Sequence, residues 1–135
     1  MLDESALIQK ASEVRKIALA LYSNFHVGAA LITRNQKIYT GCNIESSSYG
    51  LTICAERVAL FKALSEGERQ FEAIAIVSDA RELCPPCGAC RQVLWDFARN
   101  ITVIMANDYG DVQRIKLHEL LPMAFDSAYL GGGIK

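Results

Sequence analysis

The amino-acid sequence predicts an α/β fold in which helices pack on a sheet. Three observations support this prediction: an apolar repeat with helical spacing near the start, a pair of apolar strands around a short polar turn, and two later helix-then-strand units. In chain order these segments give αββαβαβ, which favours layered packing of helices on a sheet. With 135 residues and no linker-like stretch, the chain is expected to form one domain over residues 1–135, with residues 131–135 as a flexible tail.

The first helix and the first two strands follow from simple periodicities. A helix is predicted over about Ser5 to Leu21, because apolar residues recur there at intervals of three or four. These residues are Leu7, Ala11, Val14, Ala18 and Leu21. The segments Val27 to Thr33 and Lys37 to Asn43 flank a short polar stretch, so they predict a hairpin of neighbouring strands.

The first helix-then-strand unit follows the hairpin. Cys54 to Glu66 is rich in good helix formers and is followed by Gly67, a suitable C-cap, so it predicts the second helix. Cys54 is expected in the first turn of this helix. Ala73 to Ser78 is a short apolar run and predicts a buried strand.

The second unit and the closing segments complete the predicted order. Gly88 to Arg99 predicts a third helix, and Ile101 to Ala106 predicts the next strand. In that helix the residues expected to face the core are Val93, Leu94 and Phe97. Val112 to Leu117 predicts a further strand, and His118 to Phe125 predicts a short closing helix that Pro122 interrupts.

Composition and charge exclude several classes of protein. Lys plus Arg total 14 and Asp plus Glu total 15, so no nucleic-acid partner is expected. Residues 1–10 lack the pattern of a signal peptide, and no apolar stretch reaches the roughly 20 residues that span a bilayer, so we expect a cytoplasmic protein without a membrane contact. Hydrophobic residues make up 51% of the chain, a surplus that favours contacts between subunits.

Five cysteines form an odd and clustered set, which suits a metal better than disulfides. Cys87 and Cys90 are three residues apart, so one helical turn places both sulfurs on one side, and Cys54 arrives from the start of another helix. Three thiolates at two helix N-termini leave one position of a tetrahedral zinc open for water, the arrangement of a catalytic site. We therefore predict one zinc per subunit.

Glu56 lies two positions after Cys54. Its side chain is expected to point in a different direction from that of Cys54, so it need not be a zinc ligand. A carboxylate beside an activated water can carry protons to a ring nitrogen and to leaving ammonia, which is the general acid/base role in a nucleobase deaminase. Arg57 is either a solvated helix residue or a donor to a cysteine sulfur, and we favour the donor.

A structural zinc site is the main alternative. Either Cys84 or Cys42 could close the tetrahedron as a fourth ligand, and the protein would then be an interaction module without chemistry. The prolines between Cys84 and Cys87 stiffen that link, and a closed site would leave Glu56 without a purpose.

Taken alone, without their neighbours in the sequence, Phe25 is more often a core residue and Asn43 is more often a turn residue.

Four ordered blocks of sequence resemble the small cytidine deaminases, which use three cysteines to bind zinc. The blocks are Tyr22-Ser23-Asn24-Phe25-His26-Val27-Gly28-Ala29-Ala30, Gly41-Cys42-Asn43-Ile44-Glu45, Cys54-Ala55-Glu56-Arg57 and Pro86-Cys87-Gly88-Ala89-Cys90-Arg91-Gln92. The resemblance spans roughly residues 6–125. It implies a three-layer α/β/α fold with a central mixed five-stranded sheet and a homotetramer in which neighbours complete each active site.

The resemblance also implies roles for individual residues. Phe25 would contact the pyrimidine ring, and Asn43 and Glu45 would hydrogen-bond the ribose hydroxyls. Ala55 is placed with these substrate-binding residues. Tyr49 and Phe125 would approach the active site of a neighbouring subunit. The sequence departs from the usual pattern at His26, where proline is common, and at Cys84, which adds a thiol before the metal motif.

The predicted activity is the zinc-dependent hydrolysis of cytidine and deoxycytidine to uridine and deoxyuridine, with release of ammonia, in pyrimidine salvage. Deamination of a modified cytosine nucleoside such as blasticidin is the alternative: blasticidin deaminases share the zinc motifs, but the sugar-binding Asn-x-Glu is not expected in them, so the Asn43-Ile44-Glu45 segment favours cytidine and deoxycytidine. Editing of cytosines in RNA or single-stranded DNA would need a basic, aromatic groove, and the near-neutral composition argues against it.

Overall fold

A five-stranded mixed sheet forms the centre of the computed structural model, which describes residues 2–131. The strands are β1 (Val27–Thr33), β2 (Ile38–Cys42), β3 (Phe71–Ser78), β4 (Thr102–Ala106) and β5 (Val112–Lys116). They lie in the order β2-β1-β3-β4-β5, and only the β3–β4 pair is parallel. Of the predicted tail, residues 132–135 lie outside the described residues.

Helices cover both faces of this sheet. They are α1 (Glu4–Arg15), α2 (Ala55–Ser65), α3 (Gly88–Ala98) and the short α4 (Leu117–Leu120), with 3₁₀ turns at Tyr49–Leu51 and Ser127–Leu130. No helix within residues 2–131 is both long enough and apolar enough to cross a membrane.

The two faces carry separate hydrophobic clusters because strand side chains alternate between them. On one face, Leu7 and Ala11 of α1 pack against alternate residues of β1, β3 and β4. On the other face, α2 and α3 pack against the remaining strand residues, and Leu60 and Leu94 are almost fully buried there. This packing confirms the predicted three-layer α/β/α architecture.

The first helix ends earlier than its apolar periodicity predicts. It stops at Arg15, and the predicted continuation to Leu21 is wrong. The reason is tertiary pairing: the Leu19 amide donates to the Asn43 carbonyl oxygen at 3.0 Å, and the Leu19 carbonyl accepts from the Glu45 amide at 2.9 Å. The segment after α1 therefore lies beside the end of β2 instead of continuing as a helix, and Leu21 is exposed.

Smaller differences occur at other element ends. Cys54 is the N-cap of α2 instead of a residue of its first turn. Phe97 is 43% exposed and does not face the core, although Leu94 does. The closing helix ends at Leu120 instead of Phe125, because Pro122 has no amide hydrogen for a continuing helix.

Two strand glycines allow helices to approach the sheet closely. A Cβ at Gly28 of β1 would lie 1.9 Å from the carbonyl oxygen of Ala11 in α1. A Cβ at Gly41 of β2 would lie 2.5 Å from the amide nitrogen of Ala59 and 2.6 Å from the carbonyl oxygen of Ala55, both in α2. These contacts involve backbone atoms, so a side chain at either position requires the helix to move.

We expect Gly28→Ala to lower the free energy of unfolding by about 1–3 kcal/mol, because the added methyl group overpacks the α1–β1 contact. Chemical denaturation of the zinc-loaded protein measures this loss. Gly50→Ala is the matched control, because a Cβ at Gly50 meets no atom within 4 Å. Equal stability of the two variants would contradict the proposed contact.

Candidate metal centre and active site

Three cysteine sulfurs meet where α2 and α3 begin. Cys54 is the N-cap of α2, Cys87 is the N-cap of α3, and Cys90 lies in the first turn of α3. Their sulfur atoms all lie within 4.8 Å of one another, and the Cys54 and Cys87 sulfurs are 3.7 Å apart. Zinc–sulfur bonds of 2.3 Å at tetrahedral angles place two sulfurs about 3.8 Å apart, so this cluster fits a zinc ion.

The cluster is open to a fourth ligand from outside the protein. Among residues 2–131, the cluster contains these three cysteines and no histidine, aspartate or glutamate. The Cys84 thiol is directed to the Pro85 carbonyl oxygen at 3.7 Å, and Cys42 lies at the end of β2. Neither thiol joins the cluster, which makes the arrangement that of a catalytic zinc site instead of a closed structural one.

Hydrogen bonds within the cluster favour negative charge on the Cys54 sulfur. Hydrogen bonds from Cys90 and Arg57 lower the pKa of Cys54 to about 5, although burial opposes the shift. The pKa of Cys90 is raised, because its thiol proton is shared with Cys54 and because it is buried. A divalent cation at the cluster would take the place of that shared proton.

Arg57 lies against the cluster and does not extend into solvent. Its Nη2 donates to the Cys54 sulfur at 3.4 Å, and its Nε is buried without a hydrogen-bond partner among the described residues. This hydrogen bond raises the pKa of Arg57, which stays positively charged. The guanidinium therefore offsets part of the charge of three thiolates.

Glu56 lies beside the cluster in the first turn of α2 and is only 4% exposed. Burial raises the pKa of its carboxyl to about 7, and the adjacent Cys54 thiolate acts in the same direction. A cation held by the sulfurs would oppose this shift. The carboxylate is close to the cluster without belonging to it, as a proton carrier requires.

A cavity of about 250 Å³ opens onto these groups. Its walls come from three segments: the residues around the start of β1 and the end of β2, the start of α2, and the loop before α3. The lining residues are Ser23, Phe25, Val27, Asn43, Glu45, Thr52, Ile53, Cys54, Ala55, Glu56, Cys84, Pro85 and Cys87. The structure thus brings Phe25, Asn43, Glu45 and Ala55 to the same cavity as Glu56.

Asn43 and Glu45 hold the first wall of the cavity by bonds to backbone. Asn43 Nδ2 donates to the Phe25 carbonyl oxygen at 2.8 Å, and Asn43 Oδ1 accepts from the Val27 amide at 2.9 Å. Glu45 Oε1 accepts from the amides of Tyr22 and Ser23, and the Ser23 hydroxyl donates to Oε2. The bond from the Ser23 hydroxyl is the largest cause that lowers the pKa of Glu45.

Tyr49 and Phe125 lie apart from this cavity within the chain. Tyr49 is 72% exposed and lines a neighbouring groove of about 350 Å³ together with Tyr22. Phe125 is 54% exposed, and its ring stacks on Tyr129 with centroids 5.5 Å apart. Within a single chain, Phe125 therefore does not reach the cysteine cluster.

Sequence reasoning missed two residues that support the site. Arg91 Nε donates to the Pro86 carbonyl oxygen at 2.7 Å, and Arg91 Nη1 donates to the Leu120 carbonyl oxygen at 2.8 Å. These bonds hold the loop before Cys87 to the C-terminal part of the chain. Ser23, the partner of Glu45, is the second. Both lie in the four blocks, but nothing in the sequence identifies their bonding partners.

Comparisons with known proteins agree with this geometry. Residues 1–106 match the family described as cytidine and deoxycytidylate deaminase zinc-binding region. A cytidine deaminase of Halalkalibacterium halodurans is 50% identical over 125 residues, which cover 92% of this chain and 95% of that protein. A blasticidin-S deaminase of Bacillus cereus is 31% identical over 128 residues, covering 88% of this chain and 89% of that protein.

The fold agrees as well. The crystal structure of cytidine deaminase from Burkholderia pseudomallei superposes with a TM-score of 0.89 at 47% identity, and it covers 92% of this chain and 100% of that chain. Together with the family match, this similarity confirms the predicted fold and the predicted family. With its three-sulfur zinc cluster and buried glutamate, this chain belongs to the cytidine and deoxycytidylate deaminase family.

Proposed function

We propose that this protein hydrolyses cytidine and deoxycytidine to uridine and deoxyuridine, with release of ammonia. One observation carries the proposal: a buried carboxylate, Glu56, lies beside three cysteine sulfurs at a cavity of about 250 Å³. The identity of 50% to a cytidine deaminase supports the same substrate class. The product nucleosides would place the reaction in pyrimidine salvage.

The chemistry divides between the metal and the chain. Zinc held by Cys54, Cys87 and Cys90 would supply a Lewis acid that makes water nucleophilic near neutral pH. Glu56 would accept a proton from the attacking water and deliver protons to the pyrimidine ring nitrogen and to the leaving amine. Glu56 is only 4% exposed, so its carboxyl has little contact with bulk water.

Recognition of the nucleoside would use the first wall of the cavity. The Phe25 ring would contact the pyrimidine, and Ala55 offers a small surface beside it. Asn43 and Glu45 would bind the ribose hydroxyls with the hydrogen-bonding capacity that their backbone partners leave free. A substrate without a sugar would leave these polar groups unpaired and would bind weakly.

A blasticidin substrate is the nearest alternative within the family. The blasticidin-S deaminase match is 31% identical, against 50% for the cytidine deaminase. The Asn43-Ile44-Glu45 segment also puts two polar side chains on the cavity wall, as a sugar requires. Turnover of cytidine, deoxycytidine and blasticidin S by one preparation distinguishes the two substrates.

A homotetramer with shared active sites is part of the proposal. Large apolar side chains are exposed around the mouth of the cavity and on the C-terminal segment, and contact with other subunits would cover them. They include Tyr22, Tyr49, Leu51, Phe125 and Tyr129. In such an assembly Tyr49 and Phe125 would approach a neighbour's cavity. The thiolate cluster needs a reducing compartment, which supports a cytoplasmic location.

Glu56→Gln is expected to lower kcat for cytidine by about 10²–10⁴-fold, because the amide cannot carry protons. The measurement is the loss of ultraviolet absorbance as cytidine is converted, with the zinc content determined in parallel. Glu66→Gln, at the exposed C-terminal end of the same helix, is the control and should retain activity. Activity within a factor of two in both variants would refute the role of Glu56.

Arg57→Ala is expected to weaken zinc binding by about ten- to a hundredfold, because the thiolates lose the cation that offsets their charge. Competition with a chromogenic chelator measures the affinity without relying on turnover. Glu66→Ala serves as a comparison on the same helix. Unchanged zinc affinity together with unchanged activity would show that the contact with Cys54 is dispensable.

Glu45→Gln is expected to lower kcat/KM for cytidine by roughly five- to 150-fold, through a lost sugar hydrogen bond of about 1–3 kcal/mol. Free cytosine is the internal control, because it lacks the ribose and its slow conversion should not change. An equal loss on cytosine and cytidine would mean that Glu45 only supports the Tyr22–Ser23 backbone.

A further inference from the structure

An aspartate outside the cavity holds the backbone next to Phe25. Val27 pairs with Ser78 in the β1–β3 ladder, so His26 and Asp79 face each other just beyond the end of that ladder. Asp79 Oδ2 accepts from the His26 amide at 2.9 Å and lies 2.6 Å from His26 Nδ1. The Asp79 amide in turn donates to the His26 carbonyl oxygen at 3.1 Å.

The same short segment is held from the opposite side by Asn43. Because β1 lies between β2 and β3, Asn43 at the end of β2 and Asp79 at the end of β3 flank residues 25–27. Asn43 bonds the carbonyl oxygen of Phe25 and the amide of Val27, whereas Asp79 bonds the residue between them. Side chains thus extend the strand pairing on both edges of this segment.

The Phe25 ring depends on this backbone support. It is 38% exposed, lines the cavity, and belongs to neither of the two hydrophobic clusters found among the described residues. Core packing therefore does not determine where the ring lies. Asp79 also begins the loop that leads to Cys84, Pro85 and Cys87, so it joins two walls of the cavity.

We propose that Asp79 is a positioning residue for substrate binding, which acts through His26 to hold Phe25 at the cavity. The proposal rests on the proposed function, because Phe25 is a substrate contact only in that activity. In this chain His26 supplies both an amide hydrogen and a ring nitrogen to the carboxylate. A proline at this position could supply neither.

A purely structural role would act through Arg15 instead. Arg15 Nη1 lies 3.6 Å from Asp79 Oδ1, and Arg15 Nη2 bonds Asp108. Burial raises the pKa of Asp79, but the hydrogen bonds from His26 and the charge of Arg15 lower it below the ordinary value. Two carboxylates therefore share Arg15, and only Asp79 contacts His26.

Variants of these two aspartates separate the two roles. Asp79→Asn keeps one oxygen that can accept from the His26 amide, whereas Asp79→Ala removes both acceptors, and both variants remove the charge beside Arg15. His26→Ala removes the ring bond and keeps the amide bond. Asp108→Asn is the matched control, because it removes a charge from the same arginine without touching His26.

We expect KM for cytidine to rise about three- to tenfold in Asp79→Asn and further in Asp79→Ala, with kcat changed less than about twofold. His26→Ala should raise KM by less than Asp79→Ala, and Asp108→Asn should leave KM unchanged. Equal KM values for Asp79→Asn and Asp79→Ala, or the same rise in Asp108→Asn, would assign the effect to Arg15 and overturn the proposal.

Hydrogen–deuterium exchange of the zinc-loaded, substrate-free protein tests the contact independently of turnover. Exchange in residues 24–28 should accelerate about fivefold in Asp79→Ala and stay unchanged in Asp108→Asn. Unchanged exchange in Asp79→Ala would overturn the proposal whatever the kinetics. Accelerated exchange in a protein that leaves cytidine intact would uphold the backbone contact and refute the proposed function instead.

Discussion

The meeting of two helix N-termini on one face of the sheet is the constraint on which the site depends. α2 and α3 pack on the same side of the sheet, and the three sulfurs come from the two N-cap residues, Cys54 and Cys87, and from Cys90 in the first turn of α3. Three thiolates in one place repel one another, so the arrangement is stable only with compensating positive charge. Helix dipoles, Arg57 and a zinc ion supply it. The position of Glu56 in the same turn of α2 follows directly, because the helix that brings Cys54 to the metal also brings the carboxylate.

The opposite wall of the cavity is built in another way. Ser23 and Phe25 line it from the segment between α1 and β1, and the side chains of Asn43 and Glu45 bond backbone groups of residues 22–27. Asn43 and Glu45 organise this wall, and in the proposed function they would also present polar atoms to a sugar. This sharing lets a short chain shape a specific pocket, since Asn43 and Glu45 face the cavity and also support the backbone beside it.

Much of the fold and of the metal cluster could be predicted because their sequence patterns are local. Alternating apolar residues, a polar turn and the Cys87–Cys90 spacing each act within a few positions, and the hairpin and the third helix lie where they predict. The end of α1 could not be predicted, because Leu19 leaves the helix to pair with residues that follow β2. The hydrogen-bond partners of Arg91 and Ser23 could not be predicted for the same reason. Long-range hydrogen bonds leave no periodic trace in a sequence.

Gly41 shows how far the catalytic geometry extends beyond the cavity. The backbone of α2 rests on this glycine at Ala55 and Ala59, and Ala55 lies between Cys54 and Glu56. A side chain at position 41 would push the start of α2 away from the sheet and would move Cys54 and Glu56 together. The sheet thus helps to fix the position of the site residues at the start of α2. A search for activity-altering substitutions that is confined to the residues lining the cavity would overlook Gly41, which has no side chain.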